Sequence, residues 1–329
     1  CIWLKIADVT AANGTTPVMP EIRIRGRCLN AAAGSNLLDV LRQADLPVNW
    51  SCRAGQCHSC LIQNLNRADL SPAQQGLSPK QQANGWLLAC QCRVEHDLDL
   101  HLHDPASDSL PATIERLETL PGQVIRLQLK PARAIRYQAG QHLVIWLSAD
   151  LARTFSLASL PGEPLLEFHL QEREGSAFCH ALRTLPTGAT CYLGAPGGHL
   201  GYDPEWHNQP LLLLASGTGL APLQAIARNA LAAGHDAPIQ LWHWQRTGAL
   251  CYLQAELEHL AAQHPHLHLQ LRSHSELEAD LRQLKPPGRG TRALICGSPA
   301  FVERLRKPLF MAGLSGRQIL DEAFLGRSR

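Results

Sequence analysis

No apolar run in this sequence approaches the roughly 20 residues that cross a bilayer. An uninterrupted run as long as any, Leu211–Ala215, fits a buried strand. No basic segment leads into an apolar core near the first residue, so no export signal is read and the cytoplasm is the expected compartment. A charge excess is missing as well: 30 Lys and Arg against 28 Asp and Glu leave a net charge of +2. That balance asks for no nucleic acid or other polyanion as partner, and the basic residues are scattered rather than gathered in a run. Internal repeats and low-complexity segments are lacking too.

What is present is a chain of 329 residues, 45% apolar and 18% charged, enough for two or three domains with real cores. Its eleven cysteines are many for a cytoplasmic protein. An odd count in a reducing compartment argues against a disulfide framework. Five of them fall between Cys52 and Cys92, a density that asks for a metal or a cluster. Residues 1–18 carry no clear periodicity, and Met19 is followed at once by a strand-like pattern. The segment is expected to be either a flexible tail or an extension ahead of a natural start at Met19.

Three regimes follow. Residues 19–104 are cysteine-rich; Ile22 and Ile24 alternate with charges as in a half-buried strand. Ser35 or Asn36 can cap a short helix with Leu37, Leu38 and Leu41 on one face. Residues 105–206 are mostly strands, around Val124–Leu129, His142–Leu147 and Leu165–Leu170. Pro-Gly turns punctuate them, as in a small antiparallel barrel. In 207–329 the period switches. Strands at Leu211–Ala215, Ile239–Trp244, Leu267–Leu271 and Arg292–Cys296 alternate with helices near Pro222–Ala233, Tyr252–Gln263 and Leu277–Leu284. A last helix opens at Ser298-Pro299, which Pro308 should break or kink. Such alternation implies a doubly wound parallel sheet.

The densest chemistry is C-x4-C-x2-C at Cys52, Cys57 and Cys60, with Cys90 after a further 29 residues. Two bridged irons need four thiolates, two per iron. A tight loop can supply three, and Gly55 lets backbone N–H groups approach the sulfides. Zinc also takes four thiolates, but zinc ribbons pair two C-x2-C knuckles and this chain has one. The strings SCRAGQCHSC and LLACQC resemble plant-type [2Fe–2S] ferredoxins. That resemblance implies a β-grasp domain over roughly Met19–Asp104. It also makes Cys52, Cys57, Cys60 and Cys90 the ligands, leaving Cys92 out. His58 departs from the family, which has glycine after the second ligand.

Arg153-Thr154-Phe155-Ser156 could serve a flavin, with a cation for phosphate, a ring for the isoalloxazine and a hydroxyl near N5. With Ala139-Gly140-Gln141 upstream, it resembles the R-x-Y-S-x-x-S motif of the ferredoxin–NADP reductase family, Phe155 replacing tyrosine. The resemblance implies FAD in an antiparallel barrel. It also implies a second phosphate segment at Gly175-Ser176-Ala177-Phe178-Cys179, where Ser176 or Cys179 takes the hydroxyl role. Gly217-Thr218-Gly219-Leu220-Ala221-Pro222 follows an apolar strand and opens a helix, which suits a pyrophosphate. It resembles the same family's G-T-G-x-A-P segment. Cys296-Gly297-Ser298-Pro299 resembles its C-G-x-P motif, whose cysteine lies near the nicotinamide C4. Phe324 corresponds to its C-terminal aromatic beside the flavin. Arg246 stands alone at the end of the second strand, which favours NADH over NADPH.

Three motifs in this order resemble the reductase components of multicomponent oxygenases. A nicotinamide gives two electrons together and a cluster takes one at a time; a flavin can join the two. The resemblance implies an acceptor protein, such as an oxygenase component. A reductase of a deoxysugar pathway and a non-catalytic zinc-binding adaptor are the alternatives. The pairs His101/His103 and His266/His268 are set aside as solvated strand faces. Cys28, Cys191 and Cys251 read as packing residues.

Overall fold

The computed structural model describes residues 3–4, 19–66, 71–246 and 251–325. The described residues up to Ser109, with Val144–Thr154, form one compact unit; Leu110–Leu143 and Phe155–Leu325 form a second.

The first unit is built on a mixed sheet. Glu21–Ile24 turns Ile22 and Ile24 inward and pairs antiparallel with Arg27–Asn30. Leu98–Leu102 joins its other edge in parallel, and Leu61–Asn64 and Trp86–Leu88 follow antiparallel. Helix Leu37–Gln43 places Leu37, Leu38, Val40 and Leu41 in the same core. Burying these four side chains contributes roughly 6–12 kcal/mol before chain entropy is counted. A helix on a mixed sheet makes this unit β-grasp-like. Asn36 stands at the N-cap but does not cap; its amide donates to the Cys90 carbonyl at 2.9 Å. Trp3–Leu4 pairs in parallel with Cys28–Leu29. The rest of the segment expected as a tail or extension lies outside the described residues.

The second unit carries an antiparallel sheet and a parallel one. Thr190–Leu193, Leu110–Leu120, Val124–Pro131 and Leu166–Gln171 pair antiparallel in that spatial order. Strands His142–Ser148 and Leu151–Ser156 run from one unit into the other along the chain. The parallel sheet has the order Leu267–Ser273, Ile239–Gln245, Leu211–Ser216, Arg292–Gly297, Ile319–Ala323. Its central strand is apolar on both faces because both are covered. Leu211 and Leu213 share a core with helix Leu220–Ala232, while Leu212 and Leu214 share one with helix Pro299–Met311.

Two features differ from expectation. Ile319–Ala323 adds a fifth strand that its sequence does not announce, since only Ile319 is buried. Helix Pro299–Met311 runs on through Pro308 instead of stopping there. The proline removes one backbone bond near the helix end, and the buried face of Phe301, Val302, Leu305 and Leu309 offsets that loss.

Candidate functional site: a thiol loop and a dinucleotide cavity

In the first unit the loop after Trp50 carries three residues in the left-handed region, Arg53 (φ 54°), Gly55 (74°) and His58 (54°). These reversals turn backbone N–H groups inward. Ala54 N–H donates to the Cys52 sulfur at 3.3 Å and Cys57 N–H at 3.4 Å, while the Gln91 amide donates to Cys90 at 3.3 Å. The thiols come as two contacting pairs, Cys52 with Cys57 and Cys60 with Cys90. The Cys57 thiol, against burial and with the N–H groups of Ala54, Cys57 and Gln56, brings Cys52 down to about 5. The Cys60 thiol, against burial and with Gln91 and the Gly55 N–H, brings Cys90 to about 6. Their partners Cys57 and Cys60 are pushed up, each chiefly by its neighbour and then by burial. Among the described residues no three His, Cys, Asp or Glu converge on one metal position. Two pairs suit a bridged di-iron core, which takes two thiolates per iron, better than a single tetrahedral ion. Cys92 is buried apart and pushed to about 11 by burial.

The same unit reaches the flavin-type motif. Thr154 Oγ1 donates to the Cys57 carbonyl at 2.7 Å and lies 3.2 Å from Ser59 Oγ. Arg153 donates to the Ala152 carbonyl at 2.7 Å. In the second unit the Phe155 ring packs on Phe178, centroids 5.1 Å apart. Ser156 Oγ donates to Glu322 Oε1 at 3.3 Å, and His142 Nδ1 lies 3.2 Å from the same oxygen. Ser176 caps helix Ala177–Thr184 by accepting from the Cys179 N–H at 3.3 Å, and the Cys179 thiol is buried. Gly175 before it has φ 73°.

The second unit also contains a cavity of about 400 Å³. Ser216, Gly217 and Thr218 line it, with Trp244, Tyr252 and Phe324 as its aromatic walls. Gly217 has φ 55°. A Cβ at Gly219 would stand 2.2 Å from the Cys296 carbonyl oxygen, so only glycine lets the turn lie against that strand end. Pro222 is buried in the first turn of the helix that follows. Cys296 is fully buried and pushed well up by burial. The Phe324 N–H donates to the Gly297 carbonyl at 2.7 Å, which brings the C-terminal aromatic beside the C-G-x-P segment.

Arg246, alone in the sequence, has company in space: Arg173 and His274 line the same cavity. Sequence reasoning missed both, along with Gln245, Glu322 and His142. Gln245 also lines the cavity, and its Oε1 is buried without a hydrogen-bond partner among the described residues. An orphaned acceptor beside cations and aromatic rings fits a dinucleotide, whose hydroxyls donate and whose phosphates accept.

A loop of paired thiols and a glycine turn opening a helix on a parallel sheet define an electron-transfer oxidoreductase. Residues 21–95 match the family described as 2Fe-2S iron-sulfur cluster binding domain, and 213–307 that described as oxidoreductase NAD-binding domain. The ferredoxin–NAD(P)+ reductase component of the naphthalene 1,2-dioxygenase/salicylate 5-hydroxylase systems of Ralstonia sp. is 30% identical over 316 residues, covering 90% of this chain and 95% of its own. That of the naphthalene 1,2-dioxygenase system of Pseudomonas putida is 29% identical, covering 92% and 97%. Among solved structures, an Amycolatopsis cytochrome P450 reductase superposes with TM-score 0.61 at 26% identity, covering 93% and 98%. A ferredoxin reductase of carbazole 1,9a-dioxygenase, at 20% identity and TM-score 0.60 over 93% and 98%, shares the fold.

The chain belongs to the ferredoxin–NAD(P)+ reductase family with an N-terminal [2Fe–2S] domain, homologous to the reductase components of oxygenases. It is an NAD(P)H-dependent iron–sulfur flavoprotein that moves electrons from the nicotinamide through FAD to the cluster. The zinc-adaptor alternative is thereby set aside. Among the described residues no helix is long and apolar enough to cross a membrane.

Proposed function

We propose that this reductase takes its electrons from NADH and delivers them singly to an acceptor protein that is an oxygenase component. When bound, FAD supplies the step from paired to single electrons. In this reading residues 19–104 are the ferredoxin domain, 105–206 a flavin-binding barrel and 207–329 a doubly wound nicotinamide domain. Cys52, Cys57, Cys60 and Cys90 hold the irons. Arg153, Thr154, Phe155 and Ser156, with Gly175 and the Ser176 cap, hold the flavin. The turn Gly217–Pro222 takes the pyrophosphate on a helix N-terminus. Cys296, Gly297 and Phe324 place the nicotinamide, and Ser156 presents a hydroxyl that its hydrogen bond to Glu322 orients.

The choice of NADH rests on Gln245. Its unpartnered acceptor ends the second strand, where an adenine ribose is met. A free 2′-hydroxyl donates to it, whereas a 2′-phosphate offers only acceptors and charge. Arg173, Arg246 and His274 make NADPH the competing donor, so the ratio of kcat/KM for the two decides.

The observation that carries the whole reading is the pair-wise thiol loop, in a chain whose second unit holds the dinucleotide cavity. Anaerobic addition of NADH to protein carrying iron, sulfide and FAD should bleach the flavin. It should also raise the electron-spin resonance of a reduced cluster, which an oxygenase component then quenches. Fully loaded protein that NADH leaves coloured would refute it.

A further inference from the structure

We propose that His243 is a positioning residue for the dinucleotide. Its imidazole, held in one tautomer by the Cys251 thiol, fixes the Gly217 carbonyl and with it the turn that receives the cofactor's phosphates. The proposal rests on the assignment of the cavity to NAD(P)H and adds a residue that no motif contains.

His243 lies in the second strand of the parallel sheet, in register with Ala215, two residues before the glycine turn. Its side chain is buried at the wall of the cavity. Nε2 is 3.0 Å from the Gly217 carbonyl oxygen and Nδ1 is 3.3 Å from the Cys251 sulfur. A carbonyl only accepts, so Nε2 carries the proton. Nδ1 is then a bare lone pair, and the group in reach that can fill it is the Cys251 S–H. Burial pushes that thiol to about 11 and holds the imidazole down at about 4, so neither changes its charge near neutrality. The Tyr252 ring stands edge-on, 6.0 Å from the imidazole.

The bond matters because, at Gly217 itself, it is one of two bonds that hold the carbonyl. Gly217 adopts φ 55°, and among the described residues no heavy atom beyond its chain neighbours stands within 4 Å of where its Cβ would be. Its carbonyl also accepts the Leu220 N–H, which closes the start of helix Leu220–Ala232. Imidazole and helix share one oxygen, from the strand side and the helix side. Removing the imidazole leaves one bond to orient the first-turn N–H groups of Thr218 and Gly219, donors for which the helix has no acceptors.

The test uses the full-length protein loaded with flavin and cluster, with four variants: His243→Ala, His243→Gln, Cys251→Ala and Cys251→Ser. The readouts are steady-state kinetics with a one-electron dye and the NAD+ dissociation constant from tryptophan fluorescence. His243→Ala is expected to raise both KM for NADH and the NAD+ dissociation constant about tenfold, with kcat within about twofold. Glutamine, whose amide N–H reaches the same carbonyl, should recover most of this. Cys251→Ala should cost about threefold, and the serine hydroxyl should recover it. Nitrogen NMR of labelled histidine should show the Nε2–H tautomer. The proposal is overturned by an Nδ1–H tautomer, by a glutamine variant no better than alanine, or by unchanged NAD+ affinity in Cys251→Ala. The glutamine, cysteine and NMR results decide the matter even where His243→Ala does not fold. Wild-type protein that fails to bind NAD+ would instead sink the cavity assignment itself.

Discussion

Adding a single methyl group at Gly219 tests how tightly the nucleotide turn is set against the neighbouring strand. The new Cβ would lie 2.2 Å from the Cys296 oxygen and 2.6 Å from its carbonyl carbon. Both atoms are backbone, so no side chain can swing aside. Ordinary contact begins near 3.4 Å, and the gap must open by about 1.2 Å. Ala215 and Cys296 are register partners, so that opening pulls on the central strand pair of the parallel sheet. Overpacking costs about 1–3 kcal/mol, and the rigid neighbours place Gly219→Ala near the top of that range. At roughly 2–4 °C per kcal/mol, melting should fall by about 5–10 °C. Gly217→Ala is the control: its Cβ meets nothing, but φ 55° costs an alanine about 1–2 kcal/mol. Circular-dichroism melts of the flavin-loaded variants, with KM for NADH alongside, give the order. A Gly219→Ala protein that melts with the wild type, or above Gly217→Ala, would show the close approach to be wrong.

Cys90→Ser should lose iron, acid-labile sulfide and the visible spectrum of the cluster, while Cys92→Ser keeps all three; iron loss from Cys92→Ser would move the fourth ligand. Gln245→Arg should lower the NADH:NADPH ratio of kcat/KM by about tenfold or more, and an unchanged ratio removes Gln245 from cofactor choice. His58 sits at φ 54°, a region that favours glycine, so His58→Gly should raise stability by about 1 kcal/mol in urea unfolding; a loss would mean the imidazole contributes more than the strain costs. Burial between Trp86 and Trp146 lowers His103 to about 4 from its ordinary 6.5. The unfolded chain therefore binds a proton that the folded one refuses. Stability is full above about pH 6.5 and falls as pH drops towards 4, by up to about 3 kcal/mol. The same acid slope in His103→Gln would refute this.

The thiol loop was legible because Cys52, Cys57 and Cys60 stand close together in a pattern that few residue types can fill, and the structure sets Cys90 beside Cys60. The central strands of the parallel sheet, Leu211–Ser216 and Arg292–Gly297, were legible too, since each buries a continuous apolar run. The contacts that shape the cavity were not. Arg173 comes from the loop after Leu166–Gln171, Arg246 from the end of Ile239–Gln245 and His274 from the end of Leu267–Ser273, so only the folding of two sheets into one unit gathers them. Cys251 reads as a packing residue along the chain and proves to be the partner of His243. Asn36 reads as a cap and instead holds the Cys90 carbonyl. His58 stood out as a departure from the family, and its backbone conformation supplies the reason glycine is usual there.

The strand Ile319–Ala323 is the last to be synthesised among those described, yet it carries Glu322 to Ser156 and leads Phe324 to Gly297. It can dock only on Arg292–Gly297, once that strand is in place. Vectorial synthesis therefore delays the Ser156–Glu322 and Gly297–Phe324 contacts until Arg292–Gly297 is in place. A chain that ends before this strand has the Gly217–Gly219 turn but lacks Glu322 and Phe324, so the last strand closes that end of the unit.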